Sequence, residues 1–275
     1  EKAKSIEKRA ARLRTLARIT AEDWDGIIIS HNMFERFPLT PETTAAFIQE
    51  QVDTLERTVK EAKGEHMSKR SISGMETRIA NLKEKLKDIL DTDLDDIGIP
   101  FEQLGIDQLF VDEADMFKNL YYTTSMDRVS GLTQSNANRS NDMFAKTQWL
   151  TRAMGGRGVV FATGTPISNT MAEMYTMLRY LDMQGLKEKK LDMFDNWIRT
   201  FAEVGSGMER KPTGDGFRKV NKVKRFINMA DLNKMFRKVA DVKTQEDLDL
   251  DIPKLKNNKP TIVKIKADES LLDYI

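Results

Sequence analysis

The chain has 275 residues, with 44 basic and 43 acidic side chains, two histidines and no cysteine. The absence of cysteine excludes disulfides, thiolate metal sites and a cysteine nucleophile, and two histidines are too few for a histidine-based metal cluster. No apolar run approaches the roughly 20 residues of a membrane-spanning helix, so we expect a cytoplasmic protein without a membrane partner. The length allows one large domain or two smaller ones.

The charges are segregated along the chain, although the net charge is only +1. Residues 1–20 carry seven basic and two acidic side chains, and residues 205–240 carry ten basic and three acidic ones. Basic segments of this kind suit contact with a phosphate backbone. The alternative for each segment is a solvated helix face.

The N-terminal part predicts a helix and then a strand. Apolar residues at helical spacing predict an amphipathic helix over residues 3–18. A short strand is predicted at Ile27–Ile29, after the turn residues Asp25 and Gly26. The chain opens on Glu1 within the helical pattern, so we expect it to be a fragment of a longer parent protein.

Two heptad-spaced apolar stripes follow between residues 41 and 90, separated by a turn at Gly64. With Thr40 as N-cap and Pro41 as first helical residue, they predict an antiparallel helical hairpin. The alternative is a helix pair buried in the core. We favour a projecting hairpin that packs mainly on itself, because most positions off the stripes are polar. The seam residues are Ile48, Val52, Leu55, Ile79, Leu82 and Leu86.

Two short apolar runs end in polar motifs. Leu109–Val111 leads into the acidic tetrapeptide Asp112–Asp115, and Gly158–Ala162 leads into Thr163–Pro166. The carboxyl ends of parallel strands meet at one sheet edge, where ATPases hold Mg²⁺ with carboxylates. Alone, the tetrapeptide could be a charged turn after a strand. Together, the two strands predict an ATPase site.

These motifs resemble those of superfamily-two helicases. Phe110–Asn119, an acidic box followed by Lys-Asn, resembles the second motif in the form used by Swi/Snf-type DNA translocases, and Thr163–Asn169 is similar to the third. Trp24–His31 resembles the preceding strand and nucleic-acid contact, with Ser-His in place of Thr-Tyr. Asp251–Lys254 resembles the crossing into a second lobe. In its overall sequence features the chain resembles the helicase part of large helicase–DNA-methylase proteins of phages and conjugative elements.

The resemblance implies an α/β fold: a three-layer RecA-like lobe of the P-loop NTPase type, with a mostly parallel sheet and the hairpin, residues 41–90, as an insertion. Residues 1–250 would form a partial first helicase lobe, and residues 251–275 the linker and start of a second lobe. No Gly-x-x-x-x-Gly-Lys-Ser/Thr sequence is present, so the phosphate-binding loop is missing. We therefore expect the isolated chain to be inactive, and the parent to supply that loop, the second lobe and, as a further partner, a fused DNA methylase.

The resemblance also implies residues for ATP and Mg²⁺. Asp112 would coordinate Mg²⁺ through water, and Glu113 would act as base for water attack on the γ-phosphate. Thr163, Gly164 and Thr165 would complete the nucleotide-binding edge and transmit its state to nucleic acid. An alternative is a catalytically silent lobe that serves as a binding platform for nucleic acid or protein, but such a lobe has no need for both carboxylates.

Nucleic-acid contacts are expected in two places. By resemblance, Ser30 and His31 would lie on the nucleic-acid face. By charge, Lys222, Lys224 and Arg225 would bind the backbone of double-stranded DNA without sequence preference and with steep salt dependence.

Three less specific segments complete the chain. The Ser/Asn-rich stretch 134–141 predicts a loop, and Arg139 within it or Lys146 on the following helix would contact nucleic acid if the loop is not merely solvated. Glycines and a proline predict a flexible loop from Gly205 to Gly216. Apolar spacing predicts a short helix from Leu232 to Val239.

Overall fold

The computed structural model describes residues 13–64, 69–91, 99–126, 129–130, 137–168, 170–211, 213–244, 247–248 and 262–263. The predicted linker and second-lobe start, residues 251–275, lie outside the described residues except for Ile262 and Val263. The first ten residues of the predicted N-terminal helix also lie outside them.

Helices make up most of the regular structure. Within the described chain, none is both long and apolar enough to cross a membrane. Short 3₁₀ turns occur at Phe101–Gln103 and Ala114–Phe117. The α-helices are α1 (with residues 13–21), α2 (His31–Phe34), α3 (Pro41–Gly64), α4 (Lys69–Leu90), α5 (Asn138–Ala153), α6 (Ala172–Leu181), α7 (Met183–Glu188), α8 (Phe194–Phe201) and α9 (Met229–Arg237).

The strands form two small sheets. The strands are β1 (Leu109–Val111), β2 (Val129–Ser130), β3 (Val159–Phe161), β4 (Ala202–Arg210) and β5 (Phe217–Phe226). β1 and β3 pair in parallel, in the order expected of a β-α-β unit with α5 in the connection. The second sheet has the order β2–β5–β4, with β4 and β5 antiparallel. The α/β class and the parallel pairing of the two predicted strands are confirmed.

The first core lies on one face of the β1–β3 sheet. Val111 is 4% exposed and faces this core, whereas its neighbour Phe110 is 71% exposed. Val160, the register partner of Phe110, is 41% exposed. The apolar side chains of the opposite face therefore lack cover among the described residues, and the three-layer RecA-like arrangement is not confirmed. Core members from the helices and turns include Leu16, Phe34, Phe37, Phe101, Phe117, Met143, Phe144 and Tyr180.

A second core joins α6, α8, α9 and β4. Trp197 is fully buried at its centre, in ring contact with Tyr175 and Phe194. Leu232 and Phe236 of α9 pack into the same cluster, which confirms the short helix predicted there. Aromatic burial on this scale is a large stabilising contribution, since each ring removes 150–250 Å² from water in typical cores.

α3 and α4 form the predicted helical hairpin. α3 ends at Gly64 and α4 begins at Lys69, and an ion pair of 2.7 Å joins Lys83 of α4 to Glu56 of α3. Two helices that stay in contact this far from so short a connection run antiparallel. Leu55 and Leu82 belong to a small cluster of the hairpin's own, separate from the two main cores. The base of α3 packs on the domain instead, through an edge contact of Phe47 with the Phe144 ring.

The strand predicted at Ile27–Ile29 is wrong. Residues 26–30 have no regular structure, and the Ile28 side chain is fully exposed. Only Ile29 packs against the first core. No neighbouring strand pairs with this segment in the described structure, so a short β-branched run lacks the partner that would make it a strand.

The flexible loop predicted from Gly205 to Gly216 is also wrong in its first half. Gly205 and Gly207 lie within β4, paired with Lys222 and Val220 of β5. A β-carbon on Gly205 or Gly207 would collide with the side-chain stem of Lys224 or Lys222, respectively. The exposed side chains of Lys222 and Lys224 lie over these glycines, which are therefore strand residues and not turn residues.

Candidate functional site

The acidic tetrapeptide lies at the carboxyl end of β1, where Asp112 and Glu113 are both exposed. The backbone N–H of Glu113 donates to Asp112 Oδ1 at 3.1 Å. Glu113 has φ of 51°, a left-handed conformation that is uncommon for a residue with a side chain and is concentrated at functional sites. It turns the chain from the strand into the 3₁₀ turn Ala114–Phe117, leaving two adjacent carboxylates in solvent.

The loop after β3 meets this turn. Backbone bonds extend the pairing past the strands, from Ala162 N to Val111 O at 2.8 Å and from Ala114 N to Ala162 O at 3.0 Å. Thr163 Oγ1 then donates to Asp115 Oδ1 at 2.9 Å. The structure thus places the acidic tetrapeptide and the Thr-Gly-Thr-Pro loop at one sheet edge, as the parallel strand order requires.

Thr163 also orders its own loop. Its hydroxyl accepts a 3.1 Å hydrogen bond from the backbone N–H of Thr165. Gly164 and Thr165 are exposed. The hydroxyl therefore fixes a tight turn whose last two residues face solvent beside the carboxylates.

A second link between the two loops involves residues to which the motif analysis gave no role. Lys118 Nζ donates to the Ser168 hydroxyl and lies 3.7 Å from Glu173 Oε2. The Ser168 backbone N–H donates to the same carboxylate at 2.6 Å. The Lys118 and Glu173 side chains are only 14% and 10% exposed, so this ion pair is shielded from solvent. The sequence feature that could have pointed to this ion pair is the Lys118-Asn119 dipeptide after the acidic tetrapeptide.

Ser30 and His31 lie at the start of α2. The Ser30 hydroxyl caps the helix by accepting from Met33 N at 3.3 Å. The His31 ring makes an edge contact with Phe117 at 5.3 Å between centroids. Because Phe117 ends the 3₁₀ turn after the acidic tetrapeptide, His31 touches the segment that carries Asp112 and Glu113.

The nucleic-acid contact considered for Lys146 is wrong, because this lysine is fully buried. Its Nζ donates to Phe34 O at 2.9 Å and to Asp142 Oδ2 at 2.6 Å. Burial lowers the pKa of Lys146, and the charge of Asp142 opposes this shift. Burial raises the pKa of Asp142, and the charge of Lys146 opposes that shift. Arg139 pairs with Glu35, so it is not a merely solvated side chain. Both cations therefore hold α2 against α5.

The predicted basic residues lie on β5, apart from α2. Lys222, Lys224 and Arg225 are exposed, and Arg225 forms a 2.7 Å ion pair with Glu203. Within the described chain, no hydrogen bond or ion pair connects them to Ser30 or His31. The segment of Ser30 and His31 adjoins the first core, and β5 adjoins the second.

This edge offers a metal ion two exposed carboxylates, those of Asp112 and Glu113. Among the described residues, no group of three or more His, Asp or Glu side chains could hold a metal ion. Mg²⁺ in nucleotide sites is commonly bound by one or two carboxylates, with phosphate oxygens and water as the other ligands. The exposed Asp112 and Glu113 fit that mode.

A cavity of about 260 Å³ lies elsewhere, between α3 and the segment Leu120–Thr123. None of the predicted site residues lines it. The chemistry of the motifs belongs to an open edge, so we assign no part of the site to this cavity.

Comparisons with known proteins cover the part of the chain that contains both strand ends. The family model described as a probable helicase domain matches residues 2–244. The chain is also similar to "Defense against restriction protein B" of Escherichia phage P1, with 29% identity over 161 residues. That match covers 56% of the chain and 7% of the relative, so the chain spans a small part of the curated relative's length. No solved structure matches this chain.

Proposed function

Since this chain belongs to the family of probable helicase domains, we propose that it is the first lobe of an ATP-dependent DNA translocase or helicase. The observation that carries the proposal is the meeting of two parallel strand ends. Asp112 and Glu113 emerge exposed from one strand, and the Thr163 hydroxyl of the other is bonded to Asp115 beside them. Two adjacent carboxylates at such an edge suit phosphoryl transfer to water.

Each carboxylate has a distinct task in this proposal. When bound, Mg²⁺ would neutralise the charge on the phosphate oxygens of ATP. Asp112 would hold the metal's water ligands, since its exposed carboxylate faces solvent at the strand end. Glu113 would accept the proton of the attacking water, and its left-handed backbone turns the chain out of β1 at this point.

The contacts behind the carboxylates supply a route from the nucleotide edge to nucleic acid. The Asp115–Thr163 bond and the Lys118–Ser168 contact tie the two loops together. The ring contact between His31 and Phe117 joins the same turn to α2. Displacement of the turn would therefore reach the proposed DNA contacts at Ser30 and His31.

The rest of the lobe and its partners are part of the proposal. A RecA-like lobe covers both faces of its sheet, and the exposed Phe110 and Val160 mark the face where a second layer would pack. The phosphate-binding loop, the second lobe and a fused DNA methylase would come from the parent protein. The phage relative, of which the match covers 7%, supports a large parent encoded by a mobile element. That this parent acts in the cytoplasm is part of the proposal.

ATP hydrolysis by the parent protein, measured as phosphate release with and without double-stranded DNA, tests this function. We expect hydrolysis that DNA stimulates several-fold, and none from the isolated chain. DNA binding by a parent that hydrolyses no ATP would contradict the proposal and support the alternative, a catalytically silent binding platform.

A further inference from the structure

The antiparallel pair β4–β5 forms a long ribbon, which β2 joins at Asn221 and Lys222 and which is two-stranded from there to its tip. Its register runs from Ala202 opposite Phe226 to Arg210 opposite Phe217, with a bulge after Glu203. The tip is a formed turn, closed by hydrogen bonds of 2.9 Å from Lys211 N to Gly216 O and from Gly214 N to Lys211 O. The ribbon is therefore a defined structural element up to its end.

Two large apolar side chains lie exposed near the tip. Phe217 is 65% exposed and Met208 is 64% exposed. Met208 pairs with Lys219, and Arg210 pairs with Phe217. Directly paired residues share a face of an antiparallel ribbon, as do residues two apart in one strand. These four residues, here called the tip quartet, thus present two apolar and two basic side chains on one face.

The ribbon also carries uncompensated positive charge. Arg218 and Arg225 have carboxylate partners, Glu209 and Glu203. The other cations form no ion pair within the part of the chain that the structure describes. These cations are Arg210, Lys211, Lys219, Lys222 and Lys224.

Two of these cations lie over glycines of β4. The stems of Lys222 and Lys224 cross the strand where Gly207 and Gly205 leave space. Their ammonium groups therefore lie along the ribbon behind the tip. By the same alternation, Lys222 lies on the face opposite the tip quartet. A ligand on the quartet face therefore meets the cations Arg210 and Lys219 beside the apolar pair.

We propose that the ribbon is a nucleic-acid-binding element whose tip quartet contacts bases, with Phe217 and Met208 against base faces and the cations on phosphates. A nucleic acid offers negatively charged phosphates for the cations and, close to them, base faces for the apolar side chains. A two-stranded ribbon also fits the major groove of the duplex. Apolar side chains of this kind stack on the bases of single strands or wedge into duplex steps. The inference rests on the proposed DNA binding and adds base contact to it.

Fluorescence of 2-aminopurine in a single-stranded and in a duplex oligonucleotide tests the inference, with anisotropy for affinity. The complete 275-residue wild-type chain is compared with the variants Phe217→Ala and Phe217→Tyr. The matched control is Phe110→Ala, because the Phe110 side chain on β1 is also exposed, at 71%. We expect Phe217→Ala to weaken binding about tenfold and to remove the 2-aminopurine change, with the salt dependence unaltered. Phe217→Tyr, which keeps an aromatic face, and Phe110→Ala should behave as wild type.

The outcomes separate the inference from its premise. A signal change with the single-stranded probe alone identifies stacking, and one with the duplex identifies a wedge; either supports base contact. DNA binding that Phe217→Ala leaves unchanged overturns base contact and keeps DNA binding. No binding by wild type to either oligonucleotide at low salt overturns DNA binding by this chain and the inference with it. Loss of binding in both Phe217→Ala and Phe217→Tyr assigns Phe217 a role in folding and overturns base contact.

Discussion

Thr163 Oγ1 donates a 2.9 Å hydrogen bond to Asp115 Oδ1, joining residues 48 positions apart at the ends of β1 and β3. Both residues are half-buried, so the bond is partly shielded from water. It connects the side chains of the two motifs that the proposed function assigns to one site. Its contribution to stability and to turnover can be separated by mutation.

Thr163→Val removes the donor with little change of shape. Because a hydrogen bond to a charged group contributes about 1.5–3 kcal/mol, we expect a modest loss of stability in chemical denaturation. DNA-stimulated ATP hydrolysis by the parent should fall more than tenfold, since the substitution removes the bond between the two loops at Asp115 and the bond that Thr163 accepts from Thr165 N–H. Thr77→Val is the matched control, because its hydroxyl bonds only to Ser73 O on an exposed helix face. Equal hydrolysis rates for the two variants would contradict a functional link.

The hairpin cluster should be energetically separate from the main cores. Leu55→Ala and Leu150→Ala remove the same atoms from sites that are 1% and 0% exposed. Both should cost about 2–5 kcal/mol locally. In hydrogen exchange, Leu55→Ala should raise exchange within α3 and α4 only, whereas Leu150→Ala should raise it in α5, whose Met143 and Phe144 belong to the first core. Faster exchange of α5 in Leu55→Ala would show that the hairpin is part of that core.

Strand ends and helix stripes were predictable from the sequence because their signals are local. The runs at Leu109–Val111 and Gly158–Ala162 and the heptads of α3 and α4 each specify one element. The β4–β5 ribbon was missed because its apolar residues Val220, Val223 and Phe226 recur every three positions, not every two. Its glycines resembled turn residues, and only the register shows that they accommodate lysine stems.

Other features depend on tertiary partners that no local pattern contains. Ile27–Ile29 has strand-like composition but no neighbouring strand among the described residues. Lys146 is polar by sequence, yet Asp142, Phe34 O and the Phe34 ring surround it in the core. Glu113 was predicted as a site residue by its motif, whereas its left-handed backbone could be seen only in the structure.

The buried Lys146 should make stability depend on pH in the alkaline range. Burial lowers its folded-state pKa, whereas Asp142, Glu35 and Glu102 oppose this shift. Between the folded and the unfolded pKa, the unfolded chain binds more protons, so the free energy of unfolding rises with pH. We expect the stability of wild type minus that of Lys146→Met to increase from pH 8 to pH 10, by about 1.4 kcal/mol per unit of pKa shift. A difference that stays constant or falls would contradict a lowered pKa.

The exposed basic residues of β5 should set the salt dependence of DNA binding. Each lost phosphate contact lowers the slope of log affinity against log salt by about 0.9. Lys222→Glu, Lys224→Glu and Arg225→Glu together should weaken binding strongly and lower the slope by about two to three. The matched control reverses the charges of Lys187, Lys189 and Lys190, which are exposed at the end of α7. Similar losses in both triple variants would mean that net charge, not the ribbon, determines binding.

The measurement that tests the central claim most directly is single-turnover ATP hydrolysis by the parent protein carrying Glu113→Gln. The substitution keeps the shape of the side chain and removes the base, so ATP binding should be retained and the hydrolysis step should slow by about 10²-fold or more. Glu84→Gln, the same change at an exposed position of α4, should hydrolyse ATP at the wild-type rate. A Glu113→Gln protein that hydrolyses ATP as fast as wild type would contradict the assignment of the site.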